Sequence, residues 1–588
     1  MAFFPYSESR HLQEELISAI YSSQEMLCSA HTGVGKSISA LSGFLADKRE
    51  GEKIVVLTRT KSQAKIFLQE MNSISQKANV PFLTIQLRSK QDLCSVFKQG
   101  ESNYDEFLQL CRLHKACEHK KNFYKNKKRL GDLARNIAEG NFADGKYLDF
   151  WSLTKELSGY GCPYMVLQGL VKYSDVVIAS YLYLLHPFIR EAFLRKLGRP
   201  LEELLVILDE AHNLQGLDLL GKTLSFRTVD LAANELNYDF SNIYALFEGD
   251  DMELDILTVI EPNEIIFLYE RGIEVLERRM RKGQRTSYAY RAASFLDLAL
   301  KLRSEKNWVF FRQANKLHIK ALFPSEIIRP LRKARKLLLM SGTLTPPEGY
   351  RTLYGMDDAE ILVLPNVFPR ENRSYYAVRG LNTGLKLREN LGDKLWVDYA
   401  SVLKQVHEAS PKTTLVFFPS YDVMKKVGKH LDSEVMSEPT DSREVEAFWR
   451  KVKNREKKMV LAVSGGKMSE GVEYTVGKGS ARESVVATVV IAGFPFPVPD
   501  FEMEMKGRYY DREFGTGKAF FFLSVLPMVN KVLQGVGRAV RSERDKAAVV
   551  FLDDRMDYFI YFPEEVRHEL QMCEIDKLQE EITWFHKH

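Results

Sequence analysis

Short apolar runs rich in β-branched residues alternate along this chain with longer segments of helical periodicity, a pattern that restricts it to a parallel α/β architecture. Five such runs, 25–30, 53–58, 175–180, 204–208 and 336–340, precede residue 345, and four more, 414–418, 459–463, 485–492 and 547–552, follow it. Two α/β domains with parallel sheets are therefore predicted. With 588 residues, 45% hydrophobic and 27% charged, the chain buries substantial cores and is neither disordered nor fibrous. A formal charge of +5 is small for this length, so bulk charge alone announces no polyanionic partner.

The strand pattern fails twice. Between Cys94 and Cys162 it gives way to Lys, Arg, Asn and Glu, densest over 120–129, which reads as an insertion. From about 215 to 321 helical periodicity prevails, notably over 264–282 and 288–303, and reads as a second, mainly helical insertion. The N-terminus lacks a cationic start followed by sustained apolar residues, so no cleaved secretory leader is expected. The longest uncharged stretch, 484–499, carries Gly493, Pro495, Pro497 and Pro499 and reads as a strand entering a turn, not a membrane span. Six cysteines are few for this length and fit a reducing, intracellular compartment, cytoplasmic or, in a eukaryote, nuclear.

Residues 26–37 read as a strand, a turn carrying Thr32, Gly33 and Gly35, and a helix beginning near Lys36. Such a turn presents backbone N–H groups at the positive end of a helix, where a triphosphate can be cradled. Lys36 would reach the β- and γ-phosphates and Ser37 would ligate Mg²⁺. Ala30 stands where a strict phosphate loop has its first glycine. The run 204–208 ends in Asp209-Glu210-Ala211-His212, placing two carboxylates at the C-terminal end of a strand, where α/β proteins bind ligands. Asp209 is the expected Mg²⁺ holder, Glu210 the group that orients and deprotonates the attacking water, and His212 a link to neighbouring groups. In Gln534-Gly535-Val536-Gly537-Arg538-Ala539-Val540-Arg541 two arginines lie three residues apart, on one face if the segment is helical, and are candidate arginine fingers.

Cys94, Cys111, Cys117 and Cys162 are separated by 17, 6 and 45 positions, so no Cys-x-x-Cys zinc knuckle is present. Four thiolates from separated segments suit a [4Fe-4S] cluster; zinc, with His114 or His119 replacing a thiolate, is equally open on spacing alone. Cys28 and Cys573 read as packing residues. Arg112, Lys115, Lys120, Lys121, Lys125, Lys127, Lys128 and Arg129 crowd this insertion, with Phe123, Tyr124, Tyr147, Phe150 and Trp151 interleaved or close. Cations for a backbone and aromatic faces for unpaired bases suit single-strand binding, although such runs also occur as solvated faces. Tyr181 and Tyr183 read equally as strand contacts or core.

The ensemble resembles superfamily 2 helicases. The box Asp209-Glu210-Ala211-His212, with Ser341-Gly342-Thr343-Leu344, Ser464-Gly465-Gly466-Lys467 followed by Glu470-Gly471-Val472, and 534–541, is similar to the xeroderma pigmentosum group D (XPD) branch, archaeal in type and related to the DinG group. The resemblance implies that Arg10 and Gln13 belong to the nucleotide-base-reading segment and that Ser341 to Thr343 link hydrolysis to strand movement. Gly471 would line the inter-lobe cleft, and the four cysteines would hold [4Fe-4S]. It further implies a first RecA-like motor domain at 1–90, 166–215 and 323–345, interrupted by an iron–sulfur domain at 91–165 and an arch at 216–322, then a second motor domain at 346–588. The implied activity is ATP-driven 5′→3′ translocation on single-stranded DNA with opening of forked duplexes, in nucleotide excision repair, by a monomer whose repair partners the sequence does not name. The competing reading is a DNA-stimulated ATPase that senses damage or acts as a scaffold without processive unwinding.

Overall fold

The computed structural model describes residues 3–588 except 32, 98, 217–219, 256–257, 433–434, 440, 442–443, 455, 470–473, 478–482, 541 and 543. Thr32, Gly471 and Arg541, three of the expected site residues, therefore lie outside the described residues, as does the segment 470–472.

Both expected sheets are present, each seven-stranded and parallel throughout. The first runs, in spatial order, Glu360–Leu364, Glu25–Ala30, Lys336–Ser341, Leu204–Asp209, Lys53–Thr58, Val176–Ser180 and Thr84–Gln86, so the first lobe extends beyond the expected boundary at 345 to at least Leu364, the chain crossing once more to the sheet's edge before entering the second lobe. The second runs Met436–Ser437, Met459–Val463, Thr413–Phe418, Val486–Ile491, Ala547–Phe551, Arg373–Val378 and Leu570–Cys573. The apolar runs are unbroken because both faces of each sheet are covered. Leu204, Val206 and Leu208 enter one core while Leu205 and Ile207 enter the core on the opposite face. In the second sheet Leu415 and Phe417 face one core, Val416 and Phe418 the other.

The first insertion follows Thr84–Gln86, and its described residues form helices. The second departs from the mainly helical expectation. Besides the helices Phe226–Leu236, Pro262–Arg281 and Tyr288–Leu302 it contains a four-stranded antiparallel sheet, ordered Lys222–Ser225, Lys316–Ala321, Trp308–Gln313 and Met252–Glu253. The second lobe returns to touch this sheet: Met505 of the helix Phe501–Phe514 packs with Val309, Phe311 and Leu322, and Tyr509 donates to Glu253 at 2.5 Å. One helical stretch, Lys518–Val536, is long and apolar enough to cross a membrane by composition, but most of it is buried inside the protein.

Candidate nucleotide and cysteine sites

Three adjacent strands of the first sheet end together, and their ends carry the candidate chemistry. Register pairs Ser29 with Ser341 and Met340 with Asp209, so Ser341 stands between the phosphate-loop strand and the carboxylate strand. After Ala30 the chain turns through Gly33 and Gly35, at φ 103° and 88°, into the helix Lys36–Asp47. Neither glycine has room for a side chain. A Cβ at Gly33 would stand 2.6 Å from Phe368 Cζ, and one at Gly35 only 2.3 Å from Gln13 Nε2. Lys36 Nζ lies across the loop, donating to the carbonyls of Ala30 at 2.7 Å and His31 at 3.3 Å. Arg10 and Gln13 are brought to the same loop: the Arg10 guanidinium donates to the Gly33 carbonyl, and Gln13 Oε1 accepts from the Arg10 N–H at 3.0 Å.

Glu210 follows the strand in the left-handed region, at φ 52° and ψ 45°, which costs a non-glycine residue on the order of 1–3 kcal/mol. Its neighbours over-determine that backbone. The buried Tyr181 hydroxyl donates to the carbonyls of Asp209 and Glu210, Asn213 donates to Glu210 O at 3.0 Å, and the buried Tyr354 hydroxyl donates to Ala211 O at 2.7 Å. Tyr181 is thus a buried core residue that shapes the turn after Asp209. The Glu210 side chain keeps 32% of its surface open, whereas Asp209 is buried. Burial and the neighbouring Glu210 charge push Asp209 above the ordinary carboxylate range, against the Lys36 ammonium. Burial opposes ionisation of Glu210 as well, but the hydrogen bond and charge of His212, then the charge of Lys36 and a hydrogen bond from Ser341, outweigh it and hold Glu210 low.

A hydrogen-bonded line then leaves the first lobe. The side-chain amide of Gln534, on the helix Leu526–Val536, lies 2.9 Å from His212 Nε2, and His212 Nδ1 faces Ser341 Oγ at 2.6 Å. The Ser341 hydroxyl donates onward to Glu210 Oε2 at 3.0 Å, with Thr343 Oγ1 3.1 Å from His212 Nδ1. The arginine segment corrects one expectation. The helix stops at Val536, and Arg538 lies in the turn beyond it, its N–H bonded to Gly535 O at 3.0 Å and its guanidinium to the carbonyl of Ser469.

The four cysteines of the first insertion line one pocket, together with His114, His119, Lys90 and Lys120. Cys117 and Cys162 cap the helices Glu118–Asn126 and Pro163–Leu170, so both thiols sit at positive helix ends. The two helix starts are tied by Cys162 N–H donating to His119 O at 2.8 Å, and Gly161 permits the approach: at φ 131°, a Cβ there would stand 2.3 Å from Phe123 N. Burial pushes the Cys162 thiol up, while the amides of Met165 and Tyr164 pull it down. Among the described residues no three His, Cys, Asp or Glu side chains converge tightly enough to grip a single metal ion. His119 is engaged by Ser95 Oγ at 3.0 Å, and the His114 ring rests edge-on against Phe97.

Residues 56–229 match the DEAD_2 family and residues 403–567 the helicase C-terminal domain family. Along 563 residues the chain is 24% identical to the ATP-dependent DNA helicase XPD of Sulfolobus acidocaldarius, covering 93% of this chain and 95% of that one. A probable ATP-dependent helicase of Methanocaldococcus jannaschii is 21% identical over 642 residues, 94% of this chain and 92% of that one. Among solved structures, an XPD helicase superposes with a TM-score of 0.71 at 21% identity, covering 97% of this chain and all of that one. An XPD protein from S. tokodaii gives 0.60 at 19% identity, covering 96% of this chain and all of that one. The chain belongs to the XPD-like family of ATP-dependent DNA helicases.

Within this XPD-like chain the aromatic residues of the first insertion divide sharply. Phe123 and Tyr147 are buried and belong to the core, contrary to their reading as base-stacking candidates, whereas Tyr124 and Trp151 are 66% and 76% exposed. Phe150 lies under the Arg88 guanidinium at 4.8 Å. On the second lobe, a patch absent from the sequence-based reading surrounds Phe496. Arg555 lies 5.0 Å over its ring, Tyr558 packs at 4.8 Å and Phe520 stacks at 6.3 Å, with Val498 exposed beside it. The available signal was the turn Pro495-Phe496-Pro497, which places an aromatic ring outside the core at the end of a strand. Phe368 was missed as well; it belongs to the second lobe's core yet rests on Gly33.

The two insertions are bolted together. Fully buried Glu106, on the helix Tyr104–Leu113 that carries Cys111, accepts from Arg291 Nε at 2.8 Å, Arg291 Nη2 at 2.9 Å and Ser287 N at 2.8 Å, all from the second insertion. Lys222 and Asp105 add an ion pair at 2.7 Å.

Proposed function

We propose that this protein is a 5′→3′ helicase that hydrolyses ATP between its two lobes, draws single-stranded DNA past the two insertions and opens forked duplexes, serving nucleotide excision repair inside the cell. The carrying observation is the line Glu210–Ser341–His212–Gln534, which joins the group placed to activate water to the second lobe through three hydrogen bonds. Hydrolysis that passes through this line is felt by both lobes. Lys36 neutralises the phosphates, Glu210 orients water and accepts its proton, and Arg538 supplies positive charge as the phosphoryl group transfers. Arg541, Thr32 and Gly471 keep their family-implied roles as expectations. Mg²⁺ would be held by Ser37 and Asp209 and would screen the phosphate charge.

The donor set of the first insertion fits a [4Fe-4S] cluster held by Cys94, Cys111, Cys117 and Cys162. Four soft thiols line one pocket, the donor type such a cluster takes. Its contribution is structural, pinning the four cysteine-bearing segments to one another. The strand path is supported by exposed Tyr124 and Trp151 beside the cationic run and by the Phe496 patch.

Duplexes with a 5′ or a 3′ single-stranded tail test this reading. ATP-dependent release from the 5′-tailed fork, abolished in Lys36→Ala, is expected. DNA-stimulated hydrolysis without strand release would favour a damage sensor or scaffold, and preferential release from the 3′ tail would reverse the polarity.

A further inference from the structure

The apolar helical stretch Lys518–Val536 is shared by the cores of both lobes. Ala519, Phe522 and Leu526 pack in the cluster containing Tyr350, Leu353 and Tyr354 of the first lobe, whereas Val525, Met528, Val529 and Val532 pack in the second lobe's own core. It is not a continuous α-helix. Residues Phe521–Val525 form a π-helical turn, in which Leu526 N–H bonds to Phe521 O. In that register the next donor would be residue 527, and Pro527 has no N–H. The Phe522 carbonyl is therefore left without a helical partner in a buried position, a costly condition unless another donor arrives.

The donor comes from the catalytic turn. Gln215 Nε2 reaches the Phe522 carbonyl at 2.6 Å, and Gln215 closes the 3-10 turn Ala211–Gln215 that begins immediately after Glu210. His212 in the same turn meets Gln534 near the other end of the stretch. One short turn thus holds one helix of the second lobe at two places, and Pro527 creates the second holding point by removing a backbone donor.

We propose that Gln215 is a positioning residue: by replacing the helical donor that Pro527 cannot supply to Phe522, it keeps the catalytic turn docked on the second lobe and so sets the fraction of molecules in which Glu210 and Gln534 act together. This rests on the hydrolysis reading above. The effect belongs in turnover, not in ATP binding, because Gln215 is bonded away from the phosphate loop. Loss of one such hydrogen bond shifts a docking equilibrium by about fivefold.

The test is a double-mutant cycle on the full chain, reading kcat and KM of single-strand-stimulated ATP hydrolysis together with thermal midpoints. Gln215→Glu keeps the side-chain size and deletes the donor; it is expected to lower kcat about fivefold with KM for ATP within about twofold. In the Pro527→Ala background, where residue 527 regains an N–H, the same substitution is expected to change kcat by less than about twofold. A Gln215→Glu variant with wild-type kcat overturns the proposal, as does an equal loss of kcat in both backgrounds or a change confined to KM. Should Pro527→Ala fail to fold, Gln215→Lys, which retains a donor, is expected to hold kcat within about twofold of wild type, and a fivefold loss there overturns the proposal equally. Wild-type protein that hydrolyses no ATP would instead remove the hydrolysis reading, so the two failures are distinguishable.

Discussion

The nucleotide site takes its side chains from the ends of three neighbouring strands and bonds them to one another, whereas the cysteine site collects four thiols from loops and helix ends across an insertion whose described residues form helices alone. Around Glu210, even a strained backbone is fixed by Tyr181, Tyr354 and Asn213 before any substrate arrives. Around Cys162, a backbone hydrogen bond ties two helix starts, and Asn126 donates to the Tyr160 carbonyl at 3.4 Å. The nucleotide-site side chains are thus held by the sheet that carries them, while the insertion's helices pack onto that sheet's core and leave the four thiols on connecting segments and helix ends.

Four substitutions break or sharpen that contrast. Lys36→Ala should lower ATP hydrolysis by on the order of 10²–10³-fold while single-strand affinity stays within about twofold, because the ammonium serves the phosphates and nothing in the insertion; phosphate release and fluorescence anisotropy measure both. Cys111→Ser, or chelation of the wild type, should remove iron and lower strand displacement by on the order of 10²-fold. ATP binding should be preserved in the same sample, since the phosphate loop draws no support from that helix. A variant retaining full iron content would exclude Cys111 as a ligand.

Arg291→Ala leaves the buried Glu106 carboxylate without its bidentate partner. A local cost of about 2–4 kcal/mol is expected, discounted because Arg291 itself is partly exposed. Hydrogen exchange should show it as faster opening of Tyr104–Leu113 with protection of the two sheets unchanged; uniform loss of protection would mean the bolt is not local. Trp151→Ala should weaken single-strand binding about fivefold to tenfold without altering its salt dependence, as expected for stacking rather than a phosphate contact.

Much of this contrast was already visible in the residues. The apolar runs at 25–30, 53–58 and 459–463 coincide with strands because burial on both faces leaves no polar position to blur them. Thr84–Gln86 and Met436–Ser437 were not legible, since two or three residues carry no periodicity. The antiparallel sheet of the second insertion escaped for another reason. Its hairpin from Trp308–Gln313 to Lys316–Ala321 turns through Ala314 and Asn315, both at positive φ, without the glycine that usually marks such a turn. At the nucleotide site, Lys36, Glu210 and His212 announce themselves at the end of apolar runs. Tyr181, Tyr354 and Phe368 do not, because hydroxyl bonds to distant carbonyls and a ring resting on a glycine leave no local pattern.

A separate effect lies in the second lobe, away from both sites. Burial, and then the charges of Lys546 and Lys412, push His586 down to about 4. Between the ordinary histidine value and that one the unfolded chain binds a proton that the fold does not, so stability falls as pH drops through this window, by about 1–2 kcal/mol after allowing for partial exposure. His586→Phe should flatten that segment of the stability curve, measured by denaturant titration, without altering iron content; an unchanged slope would deny the shift.

Strand displacement per ATP hydrolysed, measured on a 5′-tailed fork with anaerobically purified protein and with Cys162→Ser, tests the central claim most directly. The wild type, carrying iron and labile sulfide, is expected to open the duplex as it hydrolyses, while the iron-free variant still binds and turns over ATP but opens almost none. A variant without iron that opens the fork at the wild-type ratio, or a wild type that hydrolyses ATP on DNA and opens nothing, would contradict it.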